Sequence, residues 1–449
     1  MFKKIGLALI ACALVVAAFG QKQPNIIIIL SDDAGYADFS FQSDRLIPTP
    51  HIDRIANEGA KFTNAYVSAS VCSPSRAGLL TGINQPQFGH VSNYIKGVKY
   101  SIEQGQYGIP HNVKILPEYL KPLGYATAAF GKWHEGFATE FQPQNRGFDH
   151  FWGFLWGSNN YNPGTAKDVM ENNQTVDPAT IPYMTDAITN EALSFLSKND
   201  KKPFFLYVAY NAVHSPMQAK PEHLKMFQDK FPDDKKRATL AAMTYSLDEN
   251  VGKILSHLEK TKQLEHTIIF FLNDNGGSDH IAASNFPLRG FKGSLYEGGI
   301  RVPFAVRWPG QIKAQTVCNT TVSSLDILPS IMDAVGLQKH NVEGVSVLES
   351  VLHPQSYDSR TLRWKTGQRS GAIRTGNWKL IVNEDKEELY DLGADPSEKQ
   401  NLLTSQPKVY KALKANYEQW FSSLPPAYFY PVSGSSAWKT AVSPNETRP

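Results

Sequence analysis

The fold is decided by the stretch Asn25-Ile26-Ile27-Ile28-Ile29-Leu30-Ser31-Asp32-Asp33-Ala34-Gly35. A continuous apolar run of this length is typical of a strand that is buried on both faces, as central parallel strands are. In open α/β sheets, ligands gather at the carboxyl ends of such strands. This run ends in two adjacent carboxylates, which repel each other unless a cation lies between them. A solvent-exposed Asp-Asp turn is the alternative interpretation.

Other apolar runs also deliver polar residues where they end. The run 125–130 leads into Gly131-Lys132-Trp133-His134, the run 203–210 is followed by His214, and the run 267–272 ends in Asn273-Asp274-Asn275. Carboxyl ends of parallel strands share one edge of a sheet, so these side chains are predicted to meet there. Hard oxygen ligands select calcium or magnesium over zinc, and such ligands are offered by Asp32, Asp33, Asp274 and Asn275.

A second informative stretch is Val71-Cys72-Ser73-Pro74-Ser75-Arg76-Ala77-Gly78-Leu79-Leu80-Thr81-Gly82. Pro74 suits the first turn of a helix, which places Cys72 just before the helix N-terminus. The positive end of that helix and the guanidinium of Arg76 favour negative charge here, either a thiolate or a bound anion. Without these neighbours, a lone cysteine is best interpreted as a small buried hydrophobe.

The order of the elements predicts the fold class. Strands and helices alternate as far as about residue 344; short strands at 371–375, 378–382 and 388–391 and a helix at 407–421 then follow. We expect an α/β protein with a large mixed sheet sandwiched by helices and a smaller C-terminal α+β subdomain of antiparallel strands and a helix. The predicted division is a catalytic domain at 21–344 and a C-terminal subdomain at 345–449.

The N-terminus predicts export. Lys3 and Lys4 precede an apolar run at residues 5–19, so residues 1–20 are interpreted as a secretory signal peptide and the protein as periplasmic or secreted. A lipoprotein anchor at Cys12 ranks second, because the chain stays apolar beyond it. No later apolar run is long enough to span a bilayer. A disulfide between Cys72 and Cys318 is possible in principle, but it would use the Cys72 thiol and so exclude a functional role for this side chain.

Composition excludes one class of partner. The chain has 449 residues and a formal net charge of +3, and 19% of its residues are charged. No long basic run is present, and the cluster Lys235-Lys236-Arg237 is interpreted as a solvated helix surface. We therefore expect no nucleic-acid partner.

The Cys72 stretch resembles the signature of the type I sulfatases. Cys-x-Pro-x-Arg followed by Leu-Leu-Thr-Gly matches in register, and further motifs follow in the order of that family from Asn25 to Leu402. They are Asp32-Asp33, Gly131-Lys132-x-His134, His214-Ser-Pro, Asp274-Asn275-Gly-Gly, the segment from Lys292 to Pro303, and Glu388-Leu-Tyr-Asp-Leu. Taken singly, the lysines could be surface cations and the histidines core residues; order and spacing together favour a site.

The resemblance implies an alkaline-phosphatase-like fold and a hydrolase that cleaves sulfate esters. In that family a maturation enzyme oxidises the signature cysteine, here Cys72, to Cα-formylglycine, whose hydrate attacks the sulfur of the ester. The implied cofactor is one Ca²⁺, with Mg²⁺ as the alternative. The implied ligands are Asp32, Asp33, the modified Cys72, Asp274 and Asn275.

The resemblance also implies roles for five further residues. Arg76 and Lys132 would hold the formylglycine oxygens, and Lys292, with Lys132, would neutralise the sulfuryl group. His214 would protonate the leaving oxygen, and His134 would remove the proton from the remaining hydroxyl so that sulfate is eliminated.

The substrate is predicted by analogy alone. Residues 85–93 resemble family members that act on carrageenans or glycosaminoglycans, which implies a sulfated carbohydrate. Residues 83–111 are predicted to form a long loop near the site, from which His90 would contact substrate. Residues 148–161, aromatic and rich in glycine, are a candidate sugar-facing wall.

Two alternatives remain open at this stage. One is a phosphonate or phosphodiester hydrolase of the same superfamily; those members resemble each other in having Asp-His where this chain has Asp274-Asn275, so the asparagine favours sulfate. The other is a protein that binds sulfated glycans through an unmodified Cys72.

Overall fold

The computed structural model describes residues 23–43, 47–94, 107–339, 341–357, 359–366, 370–383 and 386–427. The predicted signal peptide, Cys12 and residues 95–106 of the predicted loop lie outside this part of the chain. Among the described residues, no helix has both the length and the apolar character needed to cross a bilayer.

The strands are β1 (Asn25–Ser31), β2 (Ala60–Phe62), β3 (Ala65–Tyr66), β4 (Ala126–Lys132), β5 (His150–Phe154), β6 (Val169–Glu171), β7 (Gln174–Thr175), β8 (Phe204–Ala209), β9 (Thr267–Asn273), β10 (Phe304–Arg307), β11 (Thr316–Cys318), β12 (Val322–Ser323), β13 (Thr361–Thr366), β14 (Ser370–Thr375), β15 (Trp378–Val382) and β16 (Glu387–Asp391). The α-helices are α1 (Pro50–Asn57), α2 (Cys72–Thr81), α3 (Leu116–Leu120), α4 (Met184–Lys198), α5 (Pro221–Gln228), α6 (Lys235–Lys260), α7 (Glu297–Ile300), α8 (Ile327–Val335), α9 (Val347–Leu352) and α10 (Pro407–Ser423).

A ten-stranded sheet forms the centre of the molecule, in the order β11-β2-β10-β9-β1-β8-β4-β5-β6-β7. The strands from β9 to β5 in this order are parallel to one another, whereas β10 and β6 pair antiparallel at the two sides. The predicted large mixed sheet is confirmed. Because β9, β1, β8, β4 and β5 are parallel, their carboxyl ends all lie at one edge of the sheet.

The isoleucine run explains why β1 lies in the middle. Ile27 and Ile29 belong to the core on one face, and Ile26 and Ile28 to the core on the other. Successive strand residues point to opposite faces, so only a strand covered on both sides requires apolar residues at every position. Helices α1, α4 and α6 cover the first face, and α2, α3 and α8 cover the second.

A separate four-stranded antiparallel sheet follows, in the order β13-β14-β15-β16. One of its faces packs on Leu413 and Tyr417 of α10, so the predicted terminal helix covers the sheet as expected. The other face packs against the segment around α7. Strand β13 is missing from the prediction. The division of the chain at residue 344 stays a prediction.

A buried ion cluster ties this second sheet to the rest of the protein. Lys379 of β15 lies 2.9 Å from carboxylate oxygens of both Glu297 in α7 and Glu398, and all three side chains are fully buried. Tyr66 of β3 donates a hydrogen bond of 2.5 Å to Glu297. Removing one partner of a buried pair leaves an uncompensated charge, so these contacts fix the position of α7.

Two surface interpretations from the sequence are wrong. Arg237 is buried and forms an ion pair with Asp38, because the first turn of α6 packs against the loop after β1. Of the basic cluster, only Lys235 and Lys236 are exposed.

The predicted sugar-facing wall at 148–161 belongs mostly to the core. Its buried aromatic residues are Phe148, Phe151, Trp152, Phe154 and Tyr161.

Candidate active site at the carboxyl edge of the sheet

Charged side chains from three strands of the parallel centre meet at the carboxyl edge. Asp32 follows β1, Asp274 follows β9 and Lys132 ends β4. The Lys132 ammonium lies 2.7 Å from Asp32 Oδ2. Arg76 of α2 donates to Asp274 Oδ2 at 2.8 and 2.9 Å and to the Lys132 carbonyl at 3.0 Å. These four side chains are buried and form one charge network.

Cys72 is the first residue of α2, and every residue of that helix is buried. Its Sγ lies 3.7 Å from Asp32 Oδ1 and 3.1 Å from the ammonium of Lys292. The helix packs against the sheet through Leu79 and Leu80. The signature stretch therefore brings its cysteine directly to the carboxyl edge.

Burial raises the pKa of the Cys72 thiol to about 12, although Lys132 and Lys292 oppose this effect. The thiol is therefore protonated near neutral pH. This argues against a thiolate as the anion at the helix start and leaves a bound anion as the better interpretation.

Lys292 links the cysteine to Asp33. Its ammonium lies 2.7 and 2.9 Å from the two carboxylate oxygens of Asp33. Burial opposes the charged form of Lys292, but Asp33 and then Cys72 raise its pKa well above the ordinary value. Asp33 has a φ of +64°, a left-handed conformation that costs energy in a non-glycine residue. Such strain is common where a side chain must be aimed at a site.

The residues present fit a hard divalent cation. Ligand atoms of Asp32, Asp33, Cys72 and His214 lie within 4.8 Å of one another. The buried Oδ1 atoms of Asp274 and Asn275 have no hydrogen-bond partner among the described residues. Burial and the charge of Asp32 raise the pKa of Asp274 despite Arg76. A cation would relieve this repulsion, and the unpartnered oxygens could coordinate it.

The ligand atoms that lie within 4.8 Å of one another include one from His214, which was not among the predicted ligands. Asp274 and Asn275 lie beside this group: Asp274 turns Oδ2 towards Arg76, and Asn275 donates from Nδ2 to Asp33 Oδ1 at 2.8 Å. Both residues are therefore in direct contact with members of the site.

His134 is held inside the protein near the cations. Its Nε2 lies 3.4 Å from the Tyr94 carbonyl, whereas the buried Nδ1 has no hydrogen-bond partner in the part of the chain that the structure describes. Burial, Lys132 and Arg76 lower the pKa of His134 well below its usual value. A Cβ on Gly157 would come within 2.7 Å of the imidazole, so the ring requires a glycine there. This environment favours the neutral form of the His134 imidazole, and its Nδ1 is unpartnered among the described residues.

His214 lies at the opening of the site, with 18% of its side chain exposed. Its Nδ1 donates to the Ser215 carbonyl at 2.7 Å, and its Nε2 lies 3.5 Å from Asp33 Oδ2. The hydroxyl of Tyr161 donates to the His214 carbonyl at 2.8 Å and so fixes the backbone. Tyr161 was not predicted to have this role, because its distance in sequence gives no signal of the contact.

His90 does not lie on the surface of the predicted loop. It is 3% exposed, and its Nε2 lies 2.9 Å from Ser73 Oγ and 3.5 Å from Glu135 Oε2. Burial lowers the pKa of His90 to about 3 and raises that of Glu135 well above its usual value. A neutral pair therefore lies behind Ser73, next to Cys72. Glu135 was missed because nothing in the sequence marks it as buried.

The comparisons with known proteins agree with this geometry. Residues 24–337 match the family model described as Sulfatase, and residues 291–423 match the model described as N-sulphoglucosamine sulphohydrolase, C-terminal. Arylsulfatase J of Mus musculus is 31% identical, over 92% of this chain and 78% of that protein. N-acetylgalactosamine-6-sulfatase of Homo sapiens is 31% identical, over 81% and 72% of the two chains.

Among solved structures, that of Ps i-CgsB in complex with k-i-k-neocarrahexaose superposes with a TM-score of 0.86. The two chains are 32% identical, and 93% of this chain and 97% of that chain are covered. The class defined by fold and site is a hydrolase of sulfuric esters with the alkaline-phosphatase-like fold. The chain belongs to the sulfatase family. This membership removes the alternative of a protein that only binds glycans.

The neutral His90 predicts a specific response to acid. The pKa of His90 in the folded protein, about 3, lies below the usual histidine value of 6.5, so only the unfolded state gains a proton as the pH falls below about 6.5. Between pH 7 and pH 5 this group should cost about 2 kcal/mol of stability. Between pH 7 and pH 5, the free energy of unfolding should fall by about 2 kcal/mol less in His90→Gln than in the wild type. Urea unfolding of both proteins at the two pH values measures this difference.

The matched control is His280→Gln, because the side chain of His280 is 82% exposed. The free energy of unfolding of that variant should fall with acid as much as that of the wild type. If His90→Gln and the wild type showed the same acid dependence, the low pKa of the buried His90 would be contradicted.

Proposed function

We propose that this sulfatase removes sulfate from a sulfated carbohydrate, with a formylglycine formed from Cys72 and a bound Ca²⁺, or Mg²⁺ in its place. The observation that carries the proposal is the position of Cys72, which starts a buried helix and contacts both Asp32 and Lys292 at the carboxyl edge of the sheet. A carbohydrate substrate is supported by similarity to proteins named N-acetylgalactosamine-6-sulfatase and to a structure that contains a neocarrahexaose.

The conversion of Cys72 changes the side chain from CH₂–SH to CHO. The side chain loses sulfur and two hydrogens and gains one oxygen. The step balances when water supplies the oxygen, the sulfur leaves as hydrogen sulfide, and an external oxidant used by the maturation enzyme accepts two electrons, with release of two protons. Cys72, Pro74 and Arg76 are all buried in the folded protein. The maturation enzyme must therefore bind this stretch before the chain folds. A single hydroxyl would end the reaction as a stable sulfate ester, whereas the hydrated aldehyde has a second oxygen that allows sulfate to leave.

The cation would be held by Asp32, Asp33, Asp274, Asn275 and the modified residue 72. When bound, it supplies Lewis-acid polarisation of a sulfate oxygen and favours ionisation of the hydrated aldehyde. The Asp32 and Asp33 carboxylates already carry charge, because Lys132 lowers the pKa of the first and Lys292 that of the second, against the effect of burial. These groups therefore bind without first losing a proton.

The remaining residues bind charge and move protons. The Lys292 ammonium contacts residue 72 and the Lys132 ammonium contacts Asp32 beside it, so both would neutralise the negative charge that develops on the sulfuryl oxygens. Arg76 fixes Asp274 and the backbone of Lys132 and adds positive charge beside the residue 72 oxygens.

The two histidines have environments suited to opposite roles. Both nitrogens of His214 face acceptors, the Ser215 carbonyl and the Asp33 carboxylate, and this arrangement suits a protonated ring that donates from Nε2 to the leaving oxygen. His134 is neutral and has an unpartnered Nδ1, so it can accept the proton of the residue 72 hydroxyl when sulfate is eliminated.

Export is part of the proposal. The basic start and apolar run of residues 1–20 support a cleaved signal peptide and a periplasmic or secreted protein, with a lipoprotein anchored at Cys12 as the second choice.

The formylglycine is tested by the mass of the peptide that contains Cys72. In protein from its natural source we expect this peptide to be lighter than its sequence mass, by the loss of sulfur and two hydrogens and the gain of one oxygen. The peptide containing Cys318, the other buried cysteine outside residues 1–20, is the internal control and should be unmodified. An unmodified Cys72 in that protein would contradict the proposal.

The cation site is tested by calcium binding in Asp274→Asn. This variant keeps an oxygen for Arg76 but removes a ligand charge. After chelation, a hundredfold excess of Ca²⁺ over its Kd should stabilise the wild type by about 2.7 kcal/mol, seen as a rise in Tm. Asp274→Asn should need at least about tenfold more Ca²⁺ for the same rise. A parallel titration with Mg²⁺ identifies the preferred ion.

The control for this titration is Asp279→Asn, an exposed carboxylate on the segment after β9. It should respond to Ca²⁺ as the wild type does. A wild-type Tm that neither ion raises would refute the cation site.

The reaction class is tested by side-by-side kinetics of the matured protein. Asn275, in place of the histidine of the related phosphodiesterases, predicts a higher kcat/KM for sulfate esters than for phosphodiesters or phosphonates that share the same leaving alcohol. A reversed preference would assign the chain to the alternative class.

A further inference from the structure

The segment that delivers Lys292 to the site is fixed at its first end by a single asparagine. Asn285 Oδ1 accepts hydrogen bonds from the backbone N–H of Tyr36 and of Gly277 at 3.2 and 2.9 Å. Its Nδ2 donates to the carbonyls of Gly277 and Gly290 at 3.0 and 3.1 Å. Since Tyr36 follows Asp33 by three residues, and Gly277 follows Asn275 by two, this end lies against both stretches of proposed metal ligands.

The other end is fixed against the Cys72 stretch. The backbone N–H of Lys292 donates to the Gly277 carbonyl at 3.0 Å, and that of Gly293 donates to the Ser70 carbonyl at 2.8 Å. Ser70 lies two residues before Cys72. We call residues 285–293 the rim segment, because one end contacts the stretches after Asp33 and Asn275 and the other end contacts the stretch before Cys72.

The rim segment exposes two aromatic side chains. Phe286 is 76% exposed and Phe291, which precedes Lys292, is 41% exposed. Among the described residues the other exposed large apolar side chains lie singly on other elements: Met226 on α5, Val317 on β11 and Leu352 on α9. Single exposed apolar residues need no explanation, but two phenylalanines on one fixed segment beside a polar site indicate contact with a ligand.

The chemistry of these side chains fits one kind of ligand. A pyranose ring presents an apolar face of C–H groups, and aromatic rings with a negative π face pack against such a surface. Arg289, which lies between the two phenylalanines in sequence, adds a positive charge to the same segment; its guanidinium lies 3.8 Å from the centre of the Tyr296 ring and donates to the Glu398 carbonyl at 2.9 Å. Apolar stacking beside positive charge suits a sulfated sugar chain.

We propose that Phe286 and Phe291 form a stacking surface for a sugar ring of the substrate, so that they set the affinity for sulfated oligosaccharides. This inference rests on the proposed carbohydrate substrate. In this proposal the two phenylalanines act on binding, whereas Lys292 and Lys132 act on the sulfate group. Their loss should therefore change KM rather than kcat.

The test uses the matured full chain and four variants: Phe286→Ala, Phe291→Ala, the double alanine variant, and the double variant with both phenylalanines changed to tyrosine. The probes are a carrageenan hexasaccharide and a tetrasaccharide containing N-acetylgalactosamine 6-sulfate; the one that the wild type hydrolyses faster is used. We expect each alanine variant to raise KM about 3- to 10-fold with kcat within about twofold. The tyrosine variant, which keeps both rings, should restore the wild-type KM.

Val317→Ala and Met226→Ala are matched controls, since they remove exposed apolar side chains elsewhere, and neither should change KM. An unchanged KM in the double alanine variant would overturn this inference and leave the proposed function intact. A loss of kcat at unchanged KM would also overturn it, because the rim segment would then act only by positioning Lys292. A wild type that hydrolyses small aryl sulfates but neither saccharide would contradict the carbohydrate substrate and this inference together.

Discussion

The balance of buried charge at the carboxyl edge of the sheet is the constraint on which the site depends. Asp32, Asp33 and Asp274 lie together without solvent, and each carboxylate has a cationic partner, namely Lys132, Lys292 and Arg76. Removing any one of these charges would leave another buried and unpaired, at a cost far above that of a surface pair. The partners come from β4, the rim segment and α2, so the charges hold distant parts of the chain in one arrangement.

Much of the fold could be predicted because hydrophobic pattern is local. The run from Ile26 to Leu30 specifies a strand with both faces covered, and the polar residues after β1, β4 and β9 mark the edge where they meet. The order of strands in the sheet could not be predicted this way, since the neighbours of β1 lie far away in sequence. The wrong interpretation of Arg237 has the same origin, because its partner Asp38 is on another element.

The candidate site shows the same division. Residues that follow strands or lie in the signature stretch were predicted, and the structure brings Asp32, Asp33, Cys72, Lys132, His214 and Lys292 together. Side chains whose role depends on where the tertiary structure buries or exposes them were not predicted. His90 was predicted to contact substrate from the long loop, yet its side chain is buried behind Ser73. Glu135 is buried and the phenylalanines of the rim segment are exposed, against the usual placement of these residue types, and no local pattern marks the contact of Tyr161.

The pairing of β1 also has a consequence for the timing of synthesis. Strand β1 lies between β8 and β9, which begin at Phe204 and Thr267, and β9 completes the parallel centre that α2 covers. After Cys72 has been made, roughly 200 further residues must follow before that centre is complete, which at about 5 to 20 residues per second takes roughly 10 to 40 s. Non-local topology therefore leaves the Cys72 stretch exposed as an unfolded peptide during elongation. A fold with only local contacts would close this interval, so the slow assembly of the sheet would give the proposed maturation enzyme time to act on Cys72.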